Sequence, residues 1–188
     1  MNIDQTLLLF IQDYLRSDLL SGLLCTITVL GNKGALWLAF LLMLLIYPRT
    51  RKLGLLAGLS LLICVILGEA LKYTVMRPRP FLEIAELVPL VKPPDSYSFP
   101  SVHTVSSFSV AWIILWSHLS GKVRYAVFAF ALLMSFSRLY VGVHYPSDVL
   151  AGILLALAGS YGVWRWKGHL LKQSVFGSSS CKERGERL

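Results

Sequence analysis

Charge is what this sequence has least of. Only 15% of its 188 residues are Asp, Glu, Lys or Arg, while 55% are hydrophobic. Ordinary soluble domains carry about 25% charged and roughly 45–50% apolar residues, so this composition reads as a membrane protein. Acidic residues are the scarcer sign, 10 against 18 Lys and Arg, which leaves a net charge of +8. The basic residues flank apolar runs and crowd the C-terminal end instead of forming a stripe on one face. That pattern argues against nucleic acid as a partner and fits lipid headgroups and topology marking.

Cysteine is sparse. Cys25, Cys64 and Cys181 lie far apart with no CxxC or CxxH spacing, which speaks against a metal site or a disulfide framework. The start Met1-Asn2-Ile3-Asp4 has neither the basic region nor the cleavage site of a secretory leader, so none is expected. There is no internal repeat. Proline is nearly missing from the apolar runs: six of the eight lie between Pro78 and Pro100. That stretch cannot be a spanning helix, so residues 72–101 are expected to form an ordered loop outside the membrane, with a short helix around 82–88.

Apolar runs fill the rest. Residues 3–15 place Ile3, Leu7, Leu8, Phe10 and Ile11 opposite Asp4, Gln5, Gln12 and Asp13. This pattern predicts an amphipathic helix on or entering the membrane interface. Arg16-Ser17-Asp18 interrupts it, and apolar character resumes through Leu30; residues 1–32 form this first region. Further helices are expected over 35–47, 53–71, 102–118, 123–141 and 147–166, with Trp and Tyr near several ends. The whole reads as one all-α, polytopic transmembrane bundle over residues 1–170. A polar tail at 171–188 is expected to be disordered.

Positive charge sets the topology. The turn Arg49-Thr50-Arg51-Lys52, the turn bearing Lys122 and Arg124, and the basic tail fall on one side, which should be cytoplasmic. The 72–101 loop and the turn at 142–148 then share the outer side.

Three clusters of chemistry-bearing residues converge there. Lys72, Arg77 and Arg79 gather against the positive-inside trend, which points to an anionic ligand; a cation near a helix C-terminus is the simpler reading of any one of them. Ser101 and His103 open a helix, where free N–H groups can hold an anion, although helix initiation accounts for Pro100-Ser101 by itself. Arg138, His144 and Asp148 flank a turn, and the His–x3–Asp spacing lets a carboxylate engage one imidazole nitrogen while the other stays free. Glu69 reads as an ion-pair partner, and His118 and His169 as contacts at helix ends.

Taken together, Lys72–x6–Arg79–Pro80, Pro100–Ser101–x–His103 and Ser137–Arg138–x5–His144–x3–Asp148 resemble the type-2 phosphatidic acid phosphatase (PAP2) family over roughly residues 53–166. The resemblance implies a bundle of about six helices with a PAP2/haloperoxidase-like core, and phosphatase chemistry with no metal or other cofactor. It implies His144 as nucleophile forming a phosphohistidine, Asp148 as its orienting carboxylate, and His103 as general acid. Lys72, Arg79, Ser101 and Arg138 become the phosphate cradle. The chain is most similar to bacterial members, which act on lipid phosphates such as undecaprenyl pyrophosphate and phosphatidylglycerophosphate at the outer face of the cell membrane. Two alternatives accompany this reading: transfer of the phosphoryl group to another lipid, and lipid-phosphate binding without turnover. The second is motivated by Val102, which stands where the family usually has glycine. Neither the lipid nor the oligomeric state is readable from the sequence.

Overall fold

The computed structural model describes residues 2–31 and 34–179, the side chains of 167–179 excepted. Those residues form helices and no strands. The amphipathic stretch becomes helix α1 (Ile3–Phe10), prolonged by a π-helical turn at Ile11–Leu15. The chain breaks at Arg16, and Ser17 caps α2 (Asp18–Leu30) by accepting a hydrogen bond from the Leu20 N–H at 3.5 Å. After α3 (Ala35–Ile46) and the basic turn comes α4 (Arg51–Val75), the longest helix of the first half. It ends at Met76, whose φ of +50° reverses the chain; its N–H returns to the Lys72 carbonyl at 3.0 Å.

The outer loop contains one short helix, α5 (Pro80–Glu83). It lies earlier than the 82–88 expected. Pro80 occupies the first turn, where its fixed φ and missing N–H cost nothing. Beyond it, Glu86 and Val88 bond to the Gln12 side chain, at 2.9 Å each, in place of a helical ladder. Three further helices complete the chain: α6 (Val102–Leu115), α7 (Gly121–Tyr140) and α8 (Pro146–Ser179). The helix thus runs into the stretch expected as a polar tail, of which residues 180–188 lie outside the described residues.

The all-helical bundle expected from the sequence is observed, with α6 at its centre and α4, α7 and α8 packed around it. Ten of the fourteen residues of α6 are buried. Phe108, Val110, Ala111, Ile113 and Ile114 join Leu61 of α4, Ala131 of α7 and Ala156 of α8 in the main apolar core. Lipid tails are as apolar as such side chains, so helix association in a membrane relies on close packing and polar contacts. Both are present. The Ser60 and Ser160 hydroxyls lie 2.9 Å apart and both donate to the Ser109 carbonyl, tying α4, α8 and α6 together. Trp37 of α3 donates its indole N–H to Ser107 at 2.9 Å.

Among the described residues, three segments are long and apolar enough to cross a membrane: Arg51–Glu83, Gly121–Tyr140 and Pro146–Trp166. The bent pair α2–α3 makes a fourth if taken as one span. Helix α6, with 14 residues, is shorter than the roughly 20 a spanning helix needs and is sheathed by its neighbours. The outward faces carry Leu55, Leu62 and Ile66 of α4 and Leu150 and Leu154 of α8, all exposed, as a lipid-facing surface requires.

The N-terminal helix differs most from expectation. Ile3, Phe10 and Tyr14 face outward, and the inward face is mixed: Leu8 and Ile11 are buried there beside half-buried Asp4 and Gln12. Gln12 clamps the outer loop, and the Arg16 guanidinium donates to the carbonyls of Val88 (2.8 Å) and Tyr140 (3.1 and 3.2 Å).

Candidate active site

Each of the seven candidate residues stands at an element end facing the outer loop. Lys72 occupies the last turn of α4, and Arg79 lies just before α5. Ser101 precedes α6, and His103 is in its first turn. Arg138 closes α7, His144 lies in the following turn, and Asp148 opens α8. That turn depends on Gly142, whose φ of +76° lies in the left-handed region. A Cβ there would also press within 3.1 Å of the Arg16 guanidinium.

His144 is the centre. Its side chain is buried between an acid and a base: Nδ1 faces Asp148 Oδ2 at 3.5 Å, and Nε2 lies 3.2 Å from Arg79 Nη1. A guanidinium can only donate, so Nε2 must carry the lone pair and Nδ1 the proton. The contact with Arg79 therefore sets the tautomer, and the Nδ1–H is left facing the Asp148 carboxylate without a hydrogen bond. Burial, with the neighbouring charges of Arg79 and Arg138, holds the His144 pKa down at about 3, against the opposing pull of Asp148. The imidazole is neutral at ordinary pH.

Asp148 is fully buried and accepts three hydrogen bonds. Its Oδ1 accepts from Arg77 Nη1 at 2.7 Å, and its Oδ2 accepts from the Tyr145 N–H at 2.9 Å and from the Ser98 hydroxyl. Arg79 is held as firmly, donating to the Ser96 carbonyl (2.7 Å) and hydroxyl (3.0 Å) and to the Val143 carbonyl (2.9 Å).

Around this pair stand groups whose capacity is not used up. Lys72 is buried with one ion pair, to Glu69 at 3.3 Å, the partner expected from the sequence. Arg138 donates through Nη1 to Thr28, yet its buried Nε–H has no partner. Ser101 stands at the N-cap position without capping: its N–H reaches the Asp148 carbonyl at 3.2 Å, while its buried hydroxyl has no partner. A buried unpaired donor is costly and rare, and two of them beside three cations describe a cradle for an anion. His103 is half-buried and lies within electrostatic reach of Arg138, His144, Lys72 and Arg79. It also lines a cavity of about 470 Å³ with Val102, Glu69, Leu61, Leu62 and Val65. Val102 is already helical, and its side chain lines this apolar space. Among the described residues no group of three or more His, Cys, Asp or Glu side chains could hold a metal.

The sequence groups Arg77 with the anion-binding cations. The structure gives it another position: it bridges Asp148 and Asp4 and lies 3.8 Å over the Tyr145 ring. Ser96, Ser98 and Asp4 were not singled out. The two serines lie in an irregular loop with no periodicity to read, and Asp4 is an ordinary polar-face residue of α1.

A membrane-embedded helical bundle with a buried His–carboxylate pair among basic side chains is the class these features define. The chain belongs to the PAP2 superfamily, whose sequence model matches residues 53–172. The undecaprenyl-diphosphatase of Sulfolobus acidocaldarius is 37% identical over 141 residues, 72% of this chain and 65% of that one. Undecaprenyl-diphosphatase BcrC of Bacillus subtilis is 32% identical over 110 residues, 58% of this chain and 55% of that protein. This chain thus spans between half and two thirds of the length of these curated relatives. Among solved structures, Aquifex aeolicus LpxE superimposes with a TM-score of 0.77 at 24% identity, covering 88% of this chain and 96% of that one. A PAP2-type phosphatidylglycerolphosphate phosphatase from Bacillus subtilis does so with 0.70 at 27% identity, covering 88% and 85%.

Proposed function

We propose that this protein is a membrane lipid phosphatase that removes a phosphate from a lipid phosphomonoester or pyrophosphate through a phosphohistidine, at the outer face of the cell membrane. The observation that carries the reading is the His144 tautomer: a buried, neutral imidazole with its Nε2 lone pair turned to Arg79 and its Nδ1 proton to Asp148. In the first step Nε2 attacks phosphorus and the bond from phosphorus to the lipid oxygen breaks. Burial, with the charges of Arg138, Lys72 and Arg79, holds the His103 pKa down at about 2; His103 gains its proton when the negative charge of the bound phosphate offsets those cations, and gives it to that oxygen. In the second step water attacks phosphorus as the bond from phosphorus to Nε2 breaks, His103 takes up a proton from the water, and phosphate leaves with Nε2 restored. Phosphoryl transfer is mainly a matter of in-line positioning and neutralising the three equatorial oxygens. Lys72, Arg79 and Arg138, with the Ser101 hydroxyl, supply that charge and those donors.

The position of His103 supports a lipid leaving group. It borders both the cationic pocket and the apolar cavity, so the acid lies on the side from which a lipid tail extends. Several relatives carry names referring to polyprenyl diphosphates, and a long isoprenoid fits an apolar path walled by Leu38, Leu41, Leu61 and Leu62. Phosphate release should be measured on purified protein with polyprenyl pyrophosphate, phosphatidylglycerophosphate, phosphatidate and lipid A, each with and without EDTA. Release from at least one, indifferent to EDTA and lost by about 10³-fold or more in His144→Ala, is expected, as removal of a nucleophile typically does. Retained release in that variant would defeat the assignment.

A further inference from the structure

Helix α1 lies outside the stretch matched by the family model, yet it delivers a carboxylate to the back of the site. Asp4 accepts hydrogen bonds from Arg77 Nη2 at 3.0 Å, from the Ser147 N–H at 3.1 Å, and from the Ser147 hydroxyl. The other arm of Arg77 donates to Asp148 Oδ1 and to the Ser147 hydroxyl, both at 2.7 Å. Tyr145 supports the guanidinium from below, and its own hydroxyl donates to Glu83 at 2.6 Å.

We propose that Asp4 is a positioning residue: by gripping Arg77 and Ser147 it holds the Asp148 carboxylate against the Nδ1–H side of His144. The inference rests on the reading of His144 as nucleophile. Arg77 is about a quarter exposed on its side chain, whereas Asp148 is wholly buried. Without a second carboxylate the guanidinium is free to swing toward water, and Asp148 loses the donor on Oδ1. Asp4 also satisfies the Ser147 N–H at the start of α8, where backbone donors have no partner within the helix. Its carboxyl is held below the usual range: burial pushes it up, but the bonds from Ser147 and Arg77 and the Arg77 charge together outweigh that. The clamp therefore stays ionised from neutral pH well into acid. It also gives α1 a task that its matching polar face, with Gln12 and Arg16 on the outer loop, makes structurally coherent. Docking of a helix that meets the membrane interface becomes linked to the chemistry.

The test compares steady-state kinetics and thermal unfolding of detergent-purified variants, using whichever lipid phosphate the wild type hydrolyses. Asp4→Asn keeps the shape and removes the charge. It should lower kcat by about 10-fold, the usual effect of losing a supporting partner behind a reactive group, with KM changed by less than about 2-fold. Asp4→Glu should recover most of the rate. Arg77→Lys offers one compact charge in place of a fork and should lose rate similarly, and the Asp4→Asn/Arg77→Lys double variant should be no slower than Arg77→Lys alone. Wild-type kcat in Asp4→Asn, multiplicative losses in the double variant, or a loss that follows the unfolding temperature equally in Asp4→Asn and Asp4→Glu would overturn the proposal. His144→Ala is run alongside: if it still turns over, the failure belongs to the nucleophile and not to Asp4.

Discussion

At His144 a single hydrogen bond sets the tautomer. Arg79 cannot accept a proton, so the nitrogen it touches must be the bare one. The same surroundings give a pH signature. Burial and the charges of Arg79 and Arg138 push the pKa of folded His144 down to about 3, against 6.5 for a free histidine. Below pH 6.5 the unfolded chain binds a proton that the native imidazole refuses, so this contribution to stability is complete above that pH and is lost as pH falls toward 3. Replacing His144 by Asn removes the titration. Between pH 7.5 and 4.5 in detergent, the wild-type unfolding temperature should therefore fall further than that of His144→Asn; equal falls would show that the imidazole is not buried as described.

Among the elements, the turn from α7 to α8 carries the most. Gly142 adopts a left-handed φ and lies against Arg16 and Leu87, so Gly142→Ala combines strain with crowding. It should destabilise by about 1–2 kcal/mol, the cost of that conformation for a residue with a Cβ, seen as a lower unfolding temperature. An unchanged temperature would mean that the turn is not built as described. This turn and the helices on either side of it were legible in the sequence, because apolar runs bounded by Gly, Pro and charge specify helices whatever their neighbours. So was the grouping of Lys72, Arg79, Ser101, His103, Arg138, His144 and Asp148 at one end, since positive-charge bias places their loops together. The direction of α1 was not legible. Periodicity gives a helix a polar face but does not say whether water, headgroups or protein will cover it; here the outer loop and α8 do. Arg77 was visible as a cation but not as a bridge, because its second partner, Asp4, comes from the far end of the chain. The 82–88 segment fails for a related reason: Gln12 satisfies its backbone, which a local pattern cannot announce.

For the whole molecule, the bundle puts the basic turn at 49–52 and the α6–α7 turn at one end and every candidate site residue at the other. The proposed outer-face site rests on positive-inside bias. With Cys25, Cys64 and Cys181 replaced by Ser, a cysteine introduced by Asp95→Cys should react with a membrane-impermeant maleimide added to intact cells, and one introduced by Lys122→Cys only after lysis. The reverse pattern would place the site inside. Both Asp95 and Lys122 are exposed, so labelling reports the side and not burial. The central claim, that His144 itself attacks phosphorus, is tested most directly by rapid-quench mixing of the enzyme with a lipid phosphate radiolabelled at the transferred phosphorus. The account predicts transient alkali-stable, acid-labile label on a peptide containing His144, formed before phosphate appears and absent from His144→Ala. Rapid product formation with no label on that peptide at any time would contradict it.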